Sequence, residues 1–358
     1  MIGMRELLEE MVNCGASDLH LTAGLPPKFR IDGTVQDSAF ATLSSEDTRR
    51  MAYSIMSEEQ KKRFENDKEL DFSFGVQGIS RFRANVFLQR GATAMAIRQI
   101  PYAIHSFEEL GLPPITKQLI ERTQGLVLVT GPTGSGKSTT LATMVDYINN
   151  NRHGHIITIE DPIEYVHQHK NCIVNQREIN NDTASFPAAL KYVLRQDPDV
   201  ILIGEMRDRE TISAALTIAE TGHLAMATLH TNSTFESINR IVDVFPPGQQ
   251  NQVRSQLSFC LSGVLTQHLI PRAQGQGRVL CLEMMVCTPA IKAMIRDDKT
   301  HQIYGLMQAG QRHGMQTMNQ SLYQAYVNKW ITREWALGCS TDQSELLQMI
   351  GEPAGVRA

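Results

Sequence analysis

Apolar positions in the first hundred residues recur at two spacings. Met4, Leu7, Leu8, Met11 and Val12 repeat at the helical interval, which predicts an amphipathic first helix rather than the unbroken apolar core of a signal peptide. The segments Asp18-Leu19-His20-Leu21, Lys28-Phe29-Arg30-Ile31 and Arg81-Phe82-Arg83-Ala84-Asn85-Val86-Phe87 alternate polar and apolar side chains, with Gly33, Gly75 and Gly78 supplying turns. Residues 1–100 are therefore expected to form a small α/β domain of antiparallel strands with one or two helices. From 115 to 288 the pattern changes to near-continuous apolar runs, Leu126–Val129, Ile156–Ile159, Val200–Ile203 and Leu224–Ala227, separated by helical periodicity. Such runs predict strands of a sheet buried on both faces. Residues 101–114, with three prolines and a glycine, read as a linker, and 289–358 as a helical region.

Composition narrows the class. A chain of 358 residues exceeds the usual size of one core, so two domains are expected. Net charge is −4 and aromatics are 6%, which offers neither a basic groove nor stacking platforms for nucleic acid. The six cysteines form no Cys-x-x-Cys pair and read as reduced thiols in a cytoplasmic protein. No apolar run approaches the roughly 20 residues of a membrane span, so membrane association is expected only through partners.

The densest chemistry lies at Gly131-Pro132-Thr133-Gly134-Ser135-Gly136-Lys137-Ser138, followed by Thr139. This G-x-x-x-x-G-K-[ST] loop stands between an apolar strand and a helix, the setting in which backbone N–H groups cradle phosphates. Lys137 is expected to reach the β- and γ-phosphates of ATP, and Ser138 to ligate Mg²⁺. Acidic and polar clusters follow at the ends of later strands, where open parallel sheets place ligands. In Glu160-Asp161-Pro162-Ile163-Glu164, Glu164 is the first candidate to polarise an attacking water and Glu160 the second; at least one of these carboxylates can equally well only cap a turn. The run Val200-Ile201-Leu202-Ile203-Gly204-Glu205 resembles a Walker B strand with Gly204 where an aspartate often stands, making Glu205 the metal-side carboxylate. His223 and His230 bracket the next apolar run, and His230, at its end beside Thr228 and Thr231, is the stronger candidate to sense a γ-phosphate. Arg81 and Arg83 alternate on one strand, with Arg98 on the next, as a source of cations for phosphoryl transfer.

These motifs, in this order and wording, resemble the secretion-type ATPases that drive type IV pilus and type II secretion machines, over essentially the whole chain. Within that family the chain most resembles the retraction ATPases, because it lacks the long N-terminal extension and paired-cysteine insertion of the extension motors. Ala290-Ile291-Lys292-Ala293-Met294-Ile295-Arg296 is similar to the Ala-Ile-Arg-Asn-Leu-Ile-Arg segment associated with retraction, departing at Lys292 and Ala293, and Gly314-Met315-Gln316-Thr317-Met318 matches the segment that follows it. Lys191 departs where another arginine usually stands, leaving Arg195 alone. The resemblance implies a PAS-like N-terminal domain, a RecA-like P-loop ATPase core over 115–288 and a helical C-terminal extension. It also implies a homohexamer at the cytoplasmic face of the inner membrane, acting on a pilus platform protein, with the segment 101–114 as a hinge. Arg83, Arg98 and Arg195 would then contact phosphates, and His223 would join the nucleotide site. An extension or secretion motor, a nucleic-acid motor and a non-hydrolysing nucleotide sensor are the competing readings.

Overall fold

The computed structural model describes residues 2–31, 33–100 and 103–351. These fall into two compact units, one comprising residues up to 103 with the short segment 164–166, the other 104–163 and the residues from 167 on.

In the first unit, the alternating segments form a six-stranded antiparallel sheet. Its strands are β1 (Asp18–Leu21), β2 (Lys28–Ile31), β3 (Thr34–Asp37), β4 (Glu69–Val76), β5 (Ser80–Gln89) and β6 (Ala92–Ile100), in the order β3-β2-β1-β6-β5-β4. Phe82, Ala84 and Val86 of β5 are fully buried, whereas Arg83 between them is exposed, as strict alternation requires. Three helices accompany the sheet, one more than the periodicity predicts. Met4–Asn13 buries Met4, Leu7, Leu8 and Met11, while Ser45–Ser54 and Glu58–Asp67 each start at a capping box, Ser44 with Asp47 and Ser57 with Gln60.

One row of this sheet is highly charged. Register places Arg30 opposite Asp18, Asp18 opposite Arg98, and Arg98 opposite Arg83. Two guanidiniums directly across adjacent strands repel each other. Asp18, itself buried, offsets this by holding Arg98 Nε at 2.8 Å and Arg30 Nε at 3.7 Å, and Asp71 lies 3.8 Å from Arg83. Burial works to raise the pKa of Asp18, but the bonds from Ser17 and Arg98 more than offset it and hold the carboxyl below its ordinary value.

The second unit is built on a seven-stranded sheet. Its strands are β7 (Gly125–Thr130), β8 (His155–Glu160), β9 (Ile173–Glu178), β10 (Val200–Ile203), β11 (Leu224–Leu229), β12 (Leu261–Pro271) and β13 (Arg278–Val286), ordered β13-β12-β7-β11-β10-β8-β9. All neighbours are parallel except the β12–β13 hairpin. Every residue of β7, β10 and β11 is buried, which accounts for their continuous apolar sequences. Beyond β13 the described residues are helical, and Met318, Leu322, Ile331, Ala336 and Leu346 form a small core with Ile270 and Cys281 of the hairpin.

The expected linker is largely part of this unit. Pro101 and Tyr102 lie outside the described residues. Ser106 and Glu109 form a capping box that starts the short helix Phe107–Leu110, and Phe107 and Leu112 enter the main core. A proline-rich composition hid this because the capping box and its two apolar anchors occupy only a few positions.

Two predictions follow from buried titratable groups. Burial pushes the His167 imidazole down to about 4, so between there and its ordinary value the unfolded chain binds the extra proton. Stability is expected to fall by about 3 kcal/mol as pH drops through that window, and His167→Gln to flatten that fall in denaturant titrations; an unchanged pH profile would refute it. For Asp18, whose folded pKa is depressed, the contribution is present above its unfolded pKa and lost as pH falls through the folded one. Asp18→Asn should therefore cost roughly 1 kcal/mol near neutrality, and the difference from the wild type should vanish in acid.

Candidate active site

The phosphate-type loop leaves the carboxyl end of β7 and runs into the helix Lys137–Asn151. Its path depends on a close approach. A Cβ on Gly131, which has φ +135°, would lie 2.4 Å from the carbonyl oxygen of Gln267 and 2.7 Å from Ser135 Oγ, so only glycine fits. Strand β12 braces both sides of the loop: Thr266 and Thr130 share a hydroxyl hydrogen bond of 2.7 Å, and the buried Gln267 amide donates to Thr140 at 2.8 Å. Pro132, Thr133 and Gly134 face solvent, and the helix beginning at Lys137 has no side-chain cap. Its positive end, with Ser138 and Thr139 in the first turn, is thus available to an anion.

Lys137, Glu205 and His230 meet beside this loop. Lys137 Nζ donates to the carbonyls of Gly131 at 2.8 Å and Pro132 at 3.0 Å and lies 3.5 Å from His230 Nδ1. The other ring nitrogen, Nε2, is 3.3 Å from Glu205 Oε1, which also receives Arg207 Nε at 2.7 Å. With an ammonium facing Nδ1, the neutral ring carries its proton on Nε2 and donates it to Glu205. Burial works to raise the Glu205 pKa, but the bond and charge of Arg207, with the hydrogen bond from His230, outweigh it, keeping the carboxylate ionised. Among the described residues no group of three or more His, Cys, Asp or Glu could hold a metal. A cation here would thus rely on phosphate oxygens with Ser138 and Glu205, the sparse protein ligation that suits Mg²⁺.

Glu160 ends β8, where its Oε1 accepts from Thr158 Oγ1 at 2.6 Å and Gln176 Nε2 at 3.2 Å. Gly204 sits against it: a Cβ there would lie 3.1 Å from the Ile159 carbonyl and 3.2 Å from Glu160 Cα. This explains glycine in place of the usual aspartate, since Gly204 N–H already donates to the same Ile159 carbonyl at 2.8 Å. Glu164 is exposed in the segment grouped with the first unit, and Arg83 and Arg98 belong to that unit's charged row.

Two predicted residues are not brought to the loop within this chain. His223 precedes β11, its carbonyl accepting from Gly125 at the start of β7, so the full six-residue strand separates it from His230. Arg195 is exposed beyond the helix Phe186–Val193, on the chain leading into the amino end of β10. Parallel strands put both at the sheet edge opposite the loop. Sequence reasoning, in turn, assigned no role to Arg207, Thr266 or Gln267. The signal for the last two is the polar stretch Thr266-Gln267-His268 between Val264-Leu265 and Leu269-Ile270, unremarkable until β12 is seen to lie beside β7.

A model of the type II/IV secretion system protein family matches residues 2–336, and the chain belongs to that family. It is 50% identical over 329 residues to the type IV pilus retraction ATPase PilT of Pseudomonas aeruginosa, a match that covers 92% of this chain and 95% of that one. It is 45% identical over 345 residues to the type IV pilus ATPase PilU of the same organism, covering 96% and 90% respectively. A crystal structure of the pilus retraction motor PilT with bound ADP matches with a TM-score of 0.92 at 53% identity, covering 97% of this chain and 100% of that one.

The packing at Gly204 generates a direct test. Gly204→Asp, which restores the commoner residue, is expected to destabilise the protein by about 1–3 kcal/mol through overpacking against the end of β8. A melting temperature equal to wild type would show that the strand end yields without cost.

Proposed function

We propose that this chain is an ATP-hydrolysing motor that drives type IV pilus retraction. The observation that carries the ATPase reading is the chain of contacts Lys137–His230–Glu205–Arg207 built beside a braced phosphate loop. The retraction reading rests on similarity to PilT along nearly the whole chain. The extension or secretion alternative is less favoured, since the type II secretion protein E of P. aeruginosa is 33% identical and this chain covers 56% of it.

In this reading the loop Gly131–Ser138 with Thr139 binds the phosphates of ATP, and Lys137 exchanges its two carbonyl partners for phosphate oxygens. Bound Mg²⁺ would supply charge neutralisation on those phosphates, held by Ser138 and Glu205. As Lys137 turns away, His230 Nδ1 loses its donor, which couples the imidazole to occupancy of the loop. Glu160 and Glu164 are the two candidates to orient the attacking water. Glu160 is already fixed by two hydrogen bonds, whereas Glu164 is an exposed carboxylate.

We propose further that six copies assemble into a ring in which Arg83 and Arg98 of one copy serve the nucleotide of another. Pre-alignment of the two guanidiniums across β5 and β6 supports this, because it spares ordering them during the reaction. His223 and Arg195, at the far sheet edge, would act in such a site only across a copy-to-copy contact. The partner of the ring is expected to be a membrane-embedded pilus platform protein, consistent with the lack, among the described residues, of any helix long and apolar enough to cross a membrane.

Lys137→Ala is expected to lower ATP turnover by at least about a hundredfold while leaving the melting temperature near wild type. Normal turnover in that variant would remove the site assignment. Deletion of the gene should leave cells with abundant pili that do not retract and no twitching motility; bald cells would point instead to an extension motor.

A further inference from the structure

Of the two segments that resemble those of retraction ATPases, 314–318 contributes residues to a cavity of the second unit away from the ATP site, and 290–296 directly follows two more of its lining residues, Thr288 and Pro289. The cavity has a volume of about 1080 Å³. The N-cap Thr288 and first residue of the helix Pro289–Arg296 form part of its wall, and Gly314, Met315 and Gln316 another part. Gly314 has φ +78°, and a Cβ there would lie 2.8 Å from Ile115, so this segment is pressed against the chain that lines the cavity from the other side.

The lining is one-signed. It contains Arg122, Arg312 and His313 and not a single aspartate or glutamate, in a chain whose net charge is −4. Arg312 donates to the His313 ring at 3.3 Å, and among the described residues neither Arg122 nor Arg312 forms an ion pair. Exposed guanidiniums elsewhere in the protein commonly have a carboxylate neighbour, as Arg5, Arg50 and Arg207 do. The positive end of the Pro289–Arg296 helix adds to the same field.

The rest of the wall selects among anions. Five glutamines line the cavity, and Gln118, Gln311 and Gln324 make no side-chain hydrogen bond among the described residues. Primary amides both donate and accept, which matches the alternating N–H and C=O groups of an extended peptide. Pro113, Pro114 and Tyr323 supply apolar surface between them. An isolated phosphate would occupy a small part of a cavity at the upper end of the ligand-pocket range of about 300–1,000 Å³, and would leave the amides unused.

We propose that this cavity is a docking site for an acidic peptide segment of a partner protein. Carboxylates of the segment pair with Arg122 and Arg312, and its backbone is held by the glutamine amides. The site is separate from the nucleotide loop and does not depend on the reading of the ATP site.

The test is to select a random dodecapeptide phage library on the intact protein and to measure binding of the selected peptides as synthetic, fluorescently labelled chains. The expected result is enrichment of Asp and Glu in the selected peptides, with binding weakened at least about tenfold in Arg122→Glu/Arg312→Glu and retained in Lys137→Ala. ATP turnover of the charge-reversed variant should equal that of wild type. If the reversed pair does not fold, Arg122→Gln/Arg312→Gln replaces it, with the same loss expected. Selected peptides without acidic bias, or equal binding to the variant, would overturn the proposal. So would binding of phosphatidylglycerol vesicles or ADP that requires Arg122 and Arg312 when the peptides do not bind, because the cavity would then serve a lipid surface or a nucleotide.

Discussion

The contact on which the nucleotide site depends is that between the Gln267 carbonyl and Gly131. Strand β12 runs parallel to β7 so closely that its backbone oxygen stands 2.4 Å from where a side chain on residue 131 would begin. That approach turns the chain out of β7 and into the loop. The Thr266–Thr130 and Gln267–Thr140 bonds then hold strand and helix on either side of the turn. A phosphate-binding loop needs its N–H groups fixed before the ligand arrives, since electrostatic stabilisation is greatest when no reorganisation is required. Here the fixing is done by a strand far away in sequence.

Register does the rest. Leu229 pairs with Thr130, so His230 follows β11 as Gly131 follows β7, side by side. Ile203 pairs with Ala227 on one side and Ile159 on the other, which sets Gly204 and Glu205 beside Glu160 and within reach of His230. A one-residue slip of β10 would move Glu205 to the other face of the sheet. The absence of a Cβ at 204 lets β8 and β10 end close together. The carboxylate that a Walker B strand often carries one position earlier is replaced by Glu205, which His230 and Arg207 hold ionised.

How much of this was legible in sequence follows from the range of each signal. The loop, the apolar strands and the residues just past their carboxyl ends are local features, and Lys137, Glu205 and His230 were all named from them. His223 was drawn into the site because it shares a motif with His230, but motif membership says nothing about which end of a six-residue strand a side chain occupies. Thr266, Gln267 and Arg207 were missed because their roles exist only across strands or around a turn. The departure at Lys292 keeps the charge of arginine without its planar fork of donors. In the fold its ammonium donates to the Phe259 carbonyl at 3.2 Å, near the end of the helix Pro247–Cys260, where a point charge against the negative helix end suffices.

The same long-range logic connects the histidine loop to the C-terminal helices. Glu283 of β13 is almost wholly buried, and burial pushes its pKa up. It accepts from the first backbone N–H of two helices, Thr234 at 2.7 Å and Met318 at 3.4 Å. The first of these helices, Thr234–Asp243, begins four residues after His230; the second, Met318–Val327, begins at the end of the 314–318 segment. One carboxyl group thus satisfies backbone donors at two helix starts that would otherwise be orphaned in the interior. Either helix can shift only by giving up a buried hydrogen bond to a group the other also uses. The helix that follows His230 and the helix Met318–Val327 are therefore tied to a common point, and Gly314–Gln316, which wall the cavity, lie just before the second of them.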